Sequence, residues 1–338
     1  MLFVAGLSTR RLGQRPLILD EEISLSHARE SWAGLWRVST QADPNMSLDC
    51  AALKVWTGVF GESASAMRSL SVVAAVLCIP AVYALGAHLF GTVAGLLAGL
   101  LLSTNVFFLG YAQVARTYTL LTLLAALSSY FFVSEFDRPR TSSRVGYVVF
   151  SALAFYVHVF AIWVLLIQLL TLVAFKGREA WSWRWLTSFG LIAALIAPMA
   201  YTMKRVGGSG LYWVEEPDLG AIPATYAQLA GNSFLHLAIV IAACSFALRR
   251  AAHLKRLGFG LAYTGAWAFL PVLATFAASY VLQPVFVARY LIISLPAMVL
   301  LAAGAIVNVR PLWVAIVAAC LLIALSVPEL HSYYDWPT

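Results

Sequence analysis

Residues 290–309 read YLIISLPAMVLLAAGAIVNV, a run without one charged side chain. A helix of about 20 such residues is long enough to cross the hydrocarbon layer of a bilayer. Similar runs occupy 66–88, 91–109, 118–136, 146–175, 186–203, 234–248, 257–282 and 312–327. None of them alternates with period two, so they read as helices and not as the strands of a barrel. The 338 residues are 62% hydrophobic and 11% charged, whereas a soluble domain carries roughly 25% charged residues. A single water-soluble core cannot hide that much apolar surface. The fold class is all-α, a polytopic membrane protein whose backbone groups are satisfied within helices.

The run 146–175 spans about thirty residues, too long for one untilted crossing. It reads as two short helices meeting near His158, which brings the total to about ten crossings. Basic residues then set the topology. Arg138, Arg140 and Arg144 follow one run, and Lys176, Arg178 and Arg184 follow the His158 pair. Arg249, Arg250, Lys255 and Arg256 form a third cluster, and Arg310 closes the series. With these loops cytoplasmic, the external segments are 8–65, 110–117, 204–233, 281–289 and the tail from Pro328. The whole chain, 1–338, reads as one transmembrane domain. The net charge of +7 belongs to the basic loops, so membrane lipids and not nucleic acid are the expected surroundings. Of the four cysteines, Cys78, Cys244 and Cys320 lie inside apolar runs, and none has metal-ligand spacing with Cys50. Gly207-Gly208-Ser209-Gly210 reads as a flexible loop.

The opening external loop, 8–65, has structure of its own. In 22–38, Ile23, Ala28, Trp32, Leu35 and Trp36 recur near helical spacing, opposite His27, Arg29 and Glu30. In 46–60, Leu48, Ala52, Val55, Trp56, Val59 and Phe60 form a second apolar stripe. Both segments are too short and too polar to span, and their tryptophans suit the membrane interface. They are expected as two interfacial helices framing a groove at headgroup depth. The acidic Glu21-Glu22 pair suits the N-terminus of the first. Residues 1–7 are apolar but too short to cross.

A site at that depth that moves a group off a lipid phosphate needs one general base and positive charge on the phosphate. Asp20 is the candidate base, with capping of the following helix as its structural alternative. Arg116 and Arg289, at the external ends of two runs, are the candidate phosphate ligands, or else interfacial anchors. Arg68 opens the helix after the loop and suits an ion pair with an acid of the loop. His158 is either a packing residue or part of the site. Glu215, Glu216 and Asp218 read as solvated loop.

An ordered set of short motifs spans nearly the whole chain. Asp20-Glu21 is followed by Phe60-Gly61-Glu62 with Met67-Arg68-Ser69-Leu70-Ser71. Next come Tyr111-Ala112-Gln113 with Ala115-Arg116-Thr117-Tyr118, and Phe286 with Arg289-Tyr290-Leu291 through Pro296. In this order they resemble the GT-C glycosyltransferases, in the bacterial branch related to protein O-mannosyltransferases and aminoarabinose (lipid A) transferases. The resemblance implies a multi-helix membrane enzyme that takes a sugar from a polyprenyl-phosphate-linked donor. Transfer would go to a lipid, protein or polysaccharide acceptor, with inversion. It implies a multi-pass protein of the bacterial inner membrane with its site facing the periplasm or exterior. It places the catalytic acidic residue at Asp20, beside the donor-phosphate candidates Arg116 and Arg289. Glu21, Arg68, Tyr111, Gln113, Tyr118, His158 and Tyr290 are then supporting residues. Some relatives bind a divalent metal near this site; nothing in this chain alone demands one, and no other cofactor is implied.

Three positions depart from the family pattern. Val114 stands where a glutamate is usual. Asn45-Met46-Ser47-Leu48-Asp49-Cys50 replaces a proline and aromatic run. Tyr333-Tyr334-Asp335-Trp336 resembles the point where many relatives begin an external soluble domain, which is expected to be absent here. Two other readings stand beside the enzyme: a non-catalytic relative that binds a polyprenyl lipid or a partner, and a transporter. A transporter would be expected to carry mid-membrane charges and an internal repeat, and the sequence displays neither.

Overall fold

The structure, a computed structural model, describes residues 1–206, 213–231, 233–251 and 255–335. Gly207-Gly208-Ser209-Gly210 and Trp336 lie outside the described residues, as do the side chains of Arg250, Lys255 and Arg256. The described chain is helical throughout, with no strand among the described residues. It begins with α1 (Leu2–Thr9), and three helices then fill the opening loop: α2 (Leu19–Arg29), α3 (Trp32–Gln41) and α4 (Ser47–Phe60). The first half of the bundle is α5 (Ala64–Phe90), α6 (Thr92–Ser103), α7 (Val106–Ala112), α8 (Tyr118–Asp137), α9 (Thr141–Val157) and α10 (Ala161–Lys176). The second half is α11 (Trp183–Val206), α12 (Ala221–Leu229), α13 (Phe234–Ala251), α14 (Lys255–Val281), α15 (Leu295–Val307) and α16 (Leu312–Asp335). A 3₁₀ stretch, Ala288–Ser294, leads into α15.

Seven of these segments are long and apolar enough to cross a membrane. The number rises to nine if two bent pairs, α6 with α7 (62°) and α12 with α13 (85°), each make one span. The sequence count of about ten crossings also includes α9, whose 17 residues stand at the short limit of a span. The break foreseen near His158 is present: His158 has extended backbone, φ −161° and ψ 133°, between α9 and α10.

The run that decides the fold occupies the centre. Leu291, Ile292, Ile293, Leu295, Leu300, Ala303 and Ala305 are fully buried, as a helix apolar on all sides must be when others surround it. It packs against α5, α6, α13 and α14. On the other side of the bundle, α5 packs closely on α6 and α8. A side chain at Gly95 would bring its Cβ to 2.5 Å from the Tyr83 carbonyl oxygen. Only glycine lets the two backbones approach this closely, a small-residue contact typical of membrane helices.

The opening loop differs from expectation in two ways. It holds three helices, because the segment 22–38 breaks at Glu30, whose backbone is extended (ψ 152°). Ser31 then restarts the chain as an N-cap, its Oγ accepting from the Gly34 N–H at 3.0 Å. Lys54 fixes the break by donating to the carbonyls of Ala28 and Glu30. The second difference is the facing of α4. Its apolar stripe points outward, with Val55, Val59 and Phe60 more than half exposed, whereas Asp49, Cys50, Leu53 and Thr57 face the protein. Hydrophobicity thus does not mark the buried face of α4.

Candidate active site

The first turn of α2 carries Asp20, Glu21 and Glu22. Successive residues on a helix point about 100° apart, so Asp20 and Glu21 address different partners. Glu21 is fully buried and receives Arg68 from α5 through two parallel bonds, Nε to Oε1 at 2.8 Å and Nη2 to Oε2 at 2.7 Å. The backbone N–H groups of Ala115 (2.8 Å) and Ile18 (3.1 Å) complete the carboxylate. The rest of the Arg68 fork donates to the carbonyls of Leu12, Arg15 and Pro16. Burial by itself would raise the Glu21 pKa. The bonds from Arg68, Ala115 and Ile18 and the Arg68 charge outweigh it, and hold the carboxyl below the usual carboxylate range. Glu21 and Arg68 therefore use one another up, and they pin the loop 12–18 and the segment before α8 to α5.

Asp20 is left facing outward from this anchor. Its Oδ2 lies 3.9 Å from Nη2 of Arg289, and each side chain is about one-third exposed. Arg289 comes from the start of the 3₁₀ stretch and is stacked over the Trp213 ring (4.9 Å) and the Tyr290 ring (5.5 Å). Arg116, just before α8, donates through Nη1 to the Asp20 carbonyl (3.1 Å) and to Ser24 Oγ (3.0 Å). Both arginines keep a buried Nε without a hydrogen-bond partner. Arg289 thus faces the Asp20 carboxylate while Arg116 holds the Asp20 backbone carbonyl, and each fork keeps a spare donor, a chemistry suited to an anion beside a base.

His158 closes the inner side. It is 1% exposed, and its ring packs on Tyr290 at 5.0 Å and Phe160 at 5.2 Å. Its Nδ1 accepts from the Phe160 N–H at 3.2 Å, and its Nε2 is buried without a partner. Burial, aided by the Arg116 charge, lowers its pKa to about 3, so the ring is neutral. Tyr111 and Tyr118 stack edge-on at 4.7 Å, and Tyr111 lies within electrostatic reach of Arg289 and Asp20. Gln113 belongs elsewhere. Its amide donates to the carbonyls of Leu7, Ser8 and Arg10 at the end of α1, and its oxygen accepts from Tyr333. It is a tie between the two ends of the chain and does not reach the Asp20 pair. Val114 lines the small cavity beside Glu21 and Arg68.

Asp49 is a residue of the site region that the apolar pattern of α4 hides. It is 5% exposed on the inner face of α4, and burial raises its pKa to about 6 although the Arg116 charge pulls it down. The spacing of Asp49 and Leu53 on one helix face carried the signal. It was obscured because the hydrophobic stripe of α4 pointed the other way. Beside it, burial and the Asp49 charge push the Cys50 thiol up to about 12, so this cysteine stays protonated. On the opposite face of α4, Leu48 and Ala51 join Trp32, Leu35, Trp36 and Pro198 around an apolar groove of about 480 Å³. Among the described residues, no three His, Cys, Asp or Glu side chains are grouped to hold a metal ion.

This helical bundle, with a carboxylate on a loop helix at one end and arginines around it, has the fold of the GT-C glycosyltransferases. The family model described as dolichyl-phosphate-mannose-protein mannosyltransferase matches residues 51–201. ArnT from Cupriavidus metallidurans in the apo state is similar with a TM-score of 0.68 at 16% identity, over 92% of this chain and 60% of that one. The same protein bound to undecaprenyl phosphate is similar with a TM-score of 0.63 at 16% identity, over 98% of this chain and 74% of that one. The oligosaccharyltransferase of Archaeoglobus fulgidus, in complex with zinc and sulfate, gives a TM-score of 0.57 at 14% identity, over 86% of this chain and 44% of that one. This chain thus spans 60% of the length of the apo ArnT structure. No curated protein matches it in sequence. In fold the chain is similar to these GT-C glycosyltransferase structures, and its long apolar helices are those of a multi-pass membrane protein.

Proposed function

We propose that this protein transfers a sugar from a polyprenyl-phosphate-linked donor to an acceptor at the external face of the membrane, with inversion at the anomeric carbon. The observation that carries the reading is the pairing of half-open Asp20 with Arg289, beside Arg116, with a spare buried donor on each arginine. In the transfer step the Asp20 carboxylate takes the proton of the acceptor O–H or N–H. The acceptor atom attacks the anomeric carbon from the face opposite the phosphate, and the bond from that carbon to the phosphate oxygen breaks. The phosphate leaves with the electron pair. Its charge is met by Arg116 and Arg289, so it departs without protonation. One displacement without a covalent sugar–enzyme intermediate inverts the centre.

The fixed parts suit these roles. Glu21 and Arg68 hold the first turn of α2, which sets the direction of Asp20. Neutral His158 and the rings of Tyr290 and Phe160 form a wall behind Arg116 that keeps water away from the leaving phosphate. The apolar groove between α3, α4 and α11 offers an exit for isoprenoid chain. Two comparisons support the donor class: the family model carries a polyprenyl-type phosphate mannose in its description, and one similar structure holds undecaprenyl phosphate.

The test is transfer in proteoliposomes from radiolabelled polyprenyl-phosphate sugars to a membrane acceptor extract. Label should pass to the acceptor, and free polyprenyl phosphate should accumulate in equal amount. Transfer from a nucleotide sugar with no lipid-linked donor present would overturn the reading. Binding of the lipid donor without any transfer would instead favour the non-catalytic relative.

A further inference from the structure

The ends of α5, α8 and α10 farthest from Asp20 enclose a second cavity. Arg68 and His88 stand at the two ends of α5, roughly 30 Å apart along its axis. Around His88 lies a cavity of about 390 Å³, walled by Phe136, Asp137, Phe175, Lys176 and Phe259. Asp137 and Lys176 are the last residues of α8 and α10, so the cavity sits where the helices end, at headgroup depth. Its floor is aromatic: Phe136 stacks on Phe259 at 4.7 Å, and Phe175 meets Phe259 edge-on at 5.1 Å.

One acid, Asp137, and two bases, His88 and Lys176, face this cavity, and His88 and Lys176 have different partners. Asp137 Oδ2 lies 2.9 Å from His88 Nε2, with the Asp137 side chain 38% exposed. Lys176 Nζ lies 4.7 Å above the Phe136 ring and 3.7 Å from Glu179. We infer that the cavity binds the headgroup of an ethanolamine phospholipid, with its ammonium on Asp137 and its phosphate on Lys176. The charges select among lipids. A glycerol headgroup carries no cation for Asp137 and would be repelled by it. A choline headgroup has no N–H to donate to the carboxylate. The carbonyl ends of α5, α8 and α10 converge here and add partial negative charge, which favours a cation at the Asp137 side.

The proposal concerns the end of the bundle opposite the candidate active site and rests on no step of the transfer. The purified full chain would be placed in mixed micelles with synthetic phosphatidylethanolamine, phosphatidylglycerol or phosphatidylcholine, and retained lipid counted by native mass spectrometry. Phosphatidylethanolamine should be retained about tenfold over phosphatidylglycerol, the scale of one charge-assisted hydrogen bond. Asp137→Asn should remove that preference, and Lys176→Gln should lower retention of all three lipids alike. Both residues are partly exposed, so both variants should fold, and unchanged helicity checks this. Equal or greater retention of phosphatidylglycerol by the unaltered chain, or an unchanged preference in Asp137→Asn, would overturn the proposal.

Discussion

Glu21 and Arg68 meet through two bonds of 2.8 and 2.7 Å, both side chains almost wholly buried, and this pair fixes where Asp20 points. Neighbouring acids in one helical turn thus divide their work. One is spent on holding the loop to α5, and the other stays open toward Arg289.

Arg68→Ala should unfold the opening loop. Removing one partner from a buried ion pair leaves an uncompensated charge and costs about 3–5 kcal/mol. In detergent, the melting temperature should fall and any transfer activity should fall in step with the folded fraction. A melting temperature equal to that of the unaltered protein would show that the pair is dispensable.

The same pair predicts sensitivity to acid. The folded pKa of Glu21 is lowered from 4.5, so its contribution is fully present above that value. It is lost as pH falls through the lower, folded pKa. Glu21→Gln should therefore flatten the stability profile below about pH 4.5 and lower stability at neutral pH.

Asp49 predicts the opposite sign. Its folded pKa is raised from 3.8 to about 6, so its contribution is greatest below the unfolded value and is lost as pH rises through about 6. A charge also appears beside Arg116 over that window. The pH profile of transfer should carry an inflection near 6 that disappears in Asp49→Asn, and Asp49→Asn should be the more stable protein at pH 8. A profile that keeps the inflection in the variant would separate Asp49 from the site.

Arg289→Lys and Arg116→Lys test the phosphate assignment. Lysine keeps the charge but loses the planar fork, so the loss of one charge-assisted bond, about 1.5–3 kcal/mol, should raise the KM for the lipid donor about 10–100-fold. KM should respond more than abundance does. An unchanged KM in both variants would make these arginines interfacial anchors only.

Much of the bundle was legible because long apolar runs leave little choice in a membrane, and the break at His158 followed from length alone. The opening loop was less legible. Glu30 breaks the first amphipathic segment because Ser31 caps a new helix and Lys54 holds the exposed carbonyls, contacts from 24 and 26 residues away that no local pattern contains. The apolar stripe of α4 does not mark its inner face: Val55, Val59 and Phe60 stay more than half exposed while Asp49, Cys50 and Leu53 turn to the protein. Of the candidate site, Asp20 stands out in the sequence as an acid of the opening loop, and Arg116 and Arg289 as charges at the ends of apolar runs; the structure brings the three near one another. Trp213 and Ser24 do not stand out, since their contacts with the arginines exist only in the folded chain. Gln113 was grouped with the site by its place in a motif, and three-dimensional packing gives it to the chain ends instead.

The central claim is that Asp20 takes the acceptor proton. Its most direct measurement is the turnover of Asp20→Asn in proteoliposomes with a lipid-linked sugar donor, with the amount of folded protein measured in the same sample. The account predicts a fall in kcat of about 10²–10⁴-fold with folded protein unchanged and donor still bound. Turnover near that of the unaltered protein would contradict it.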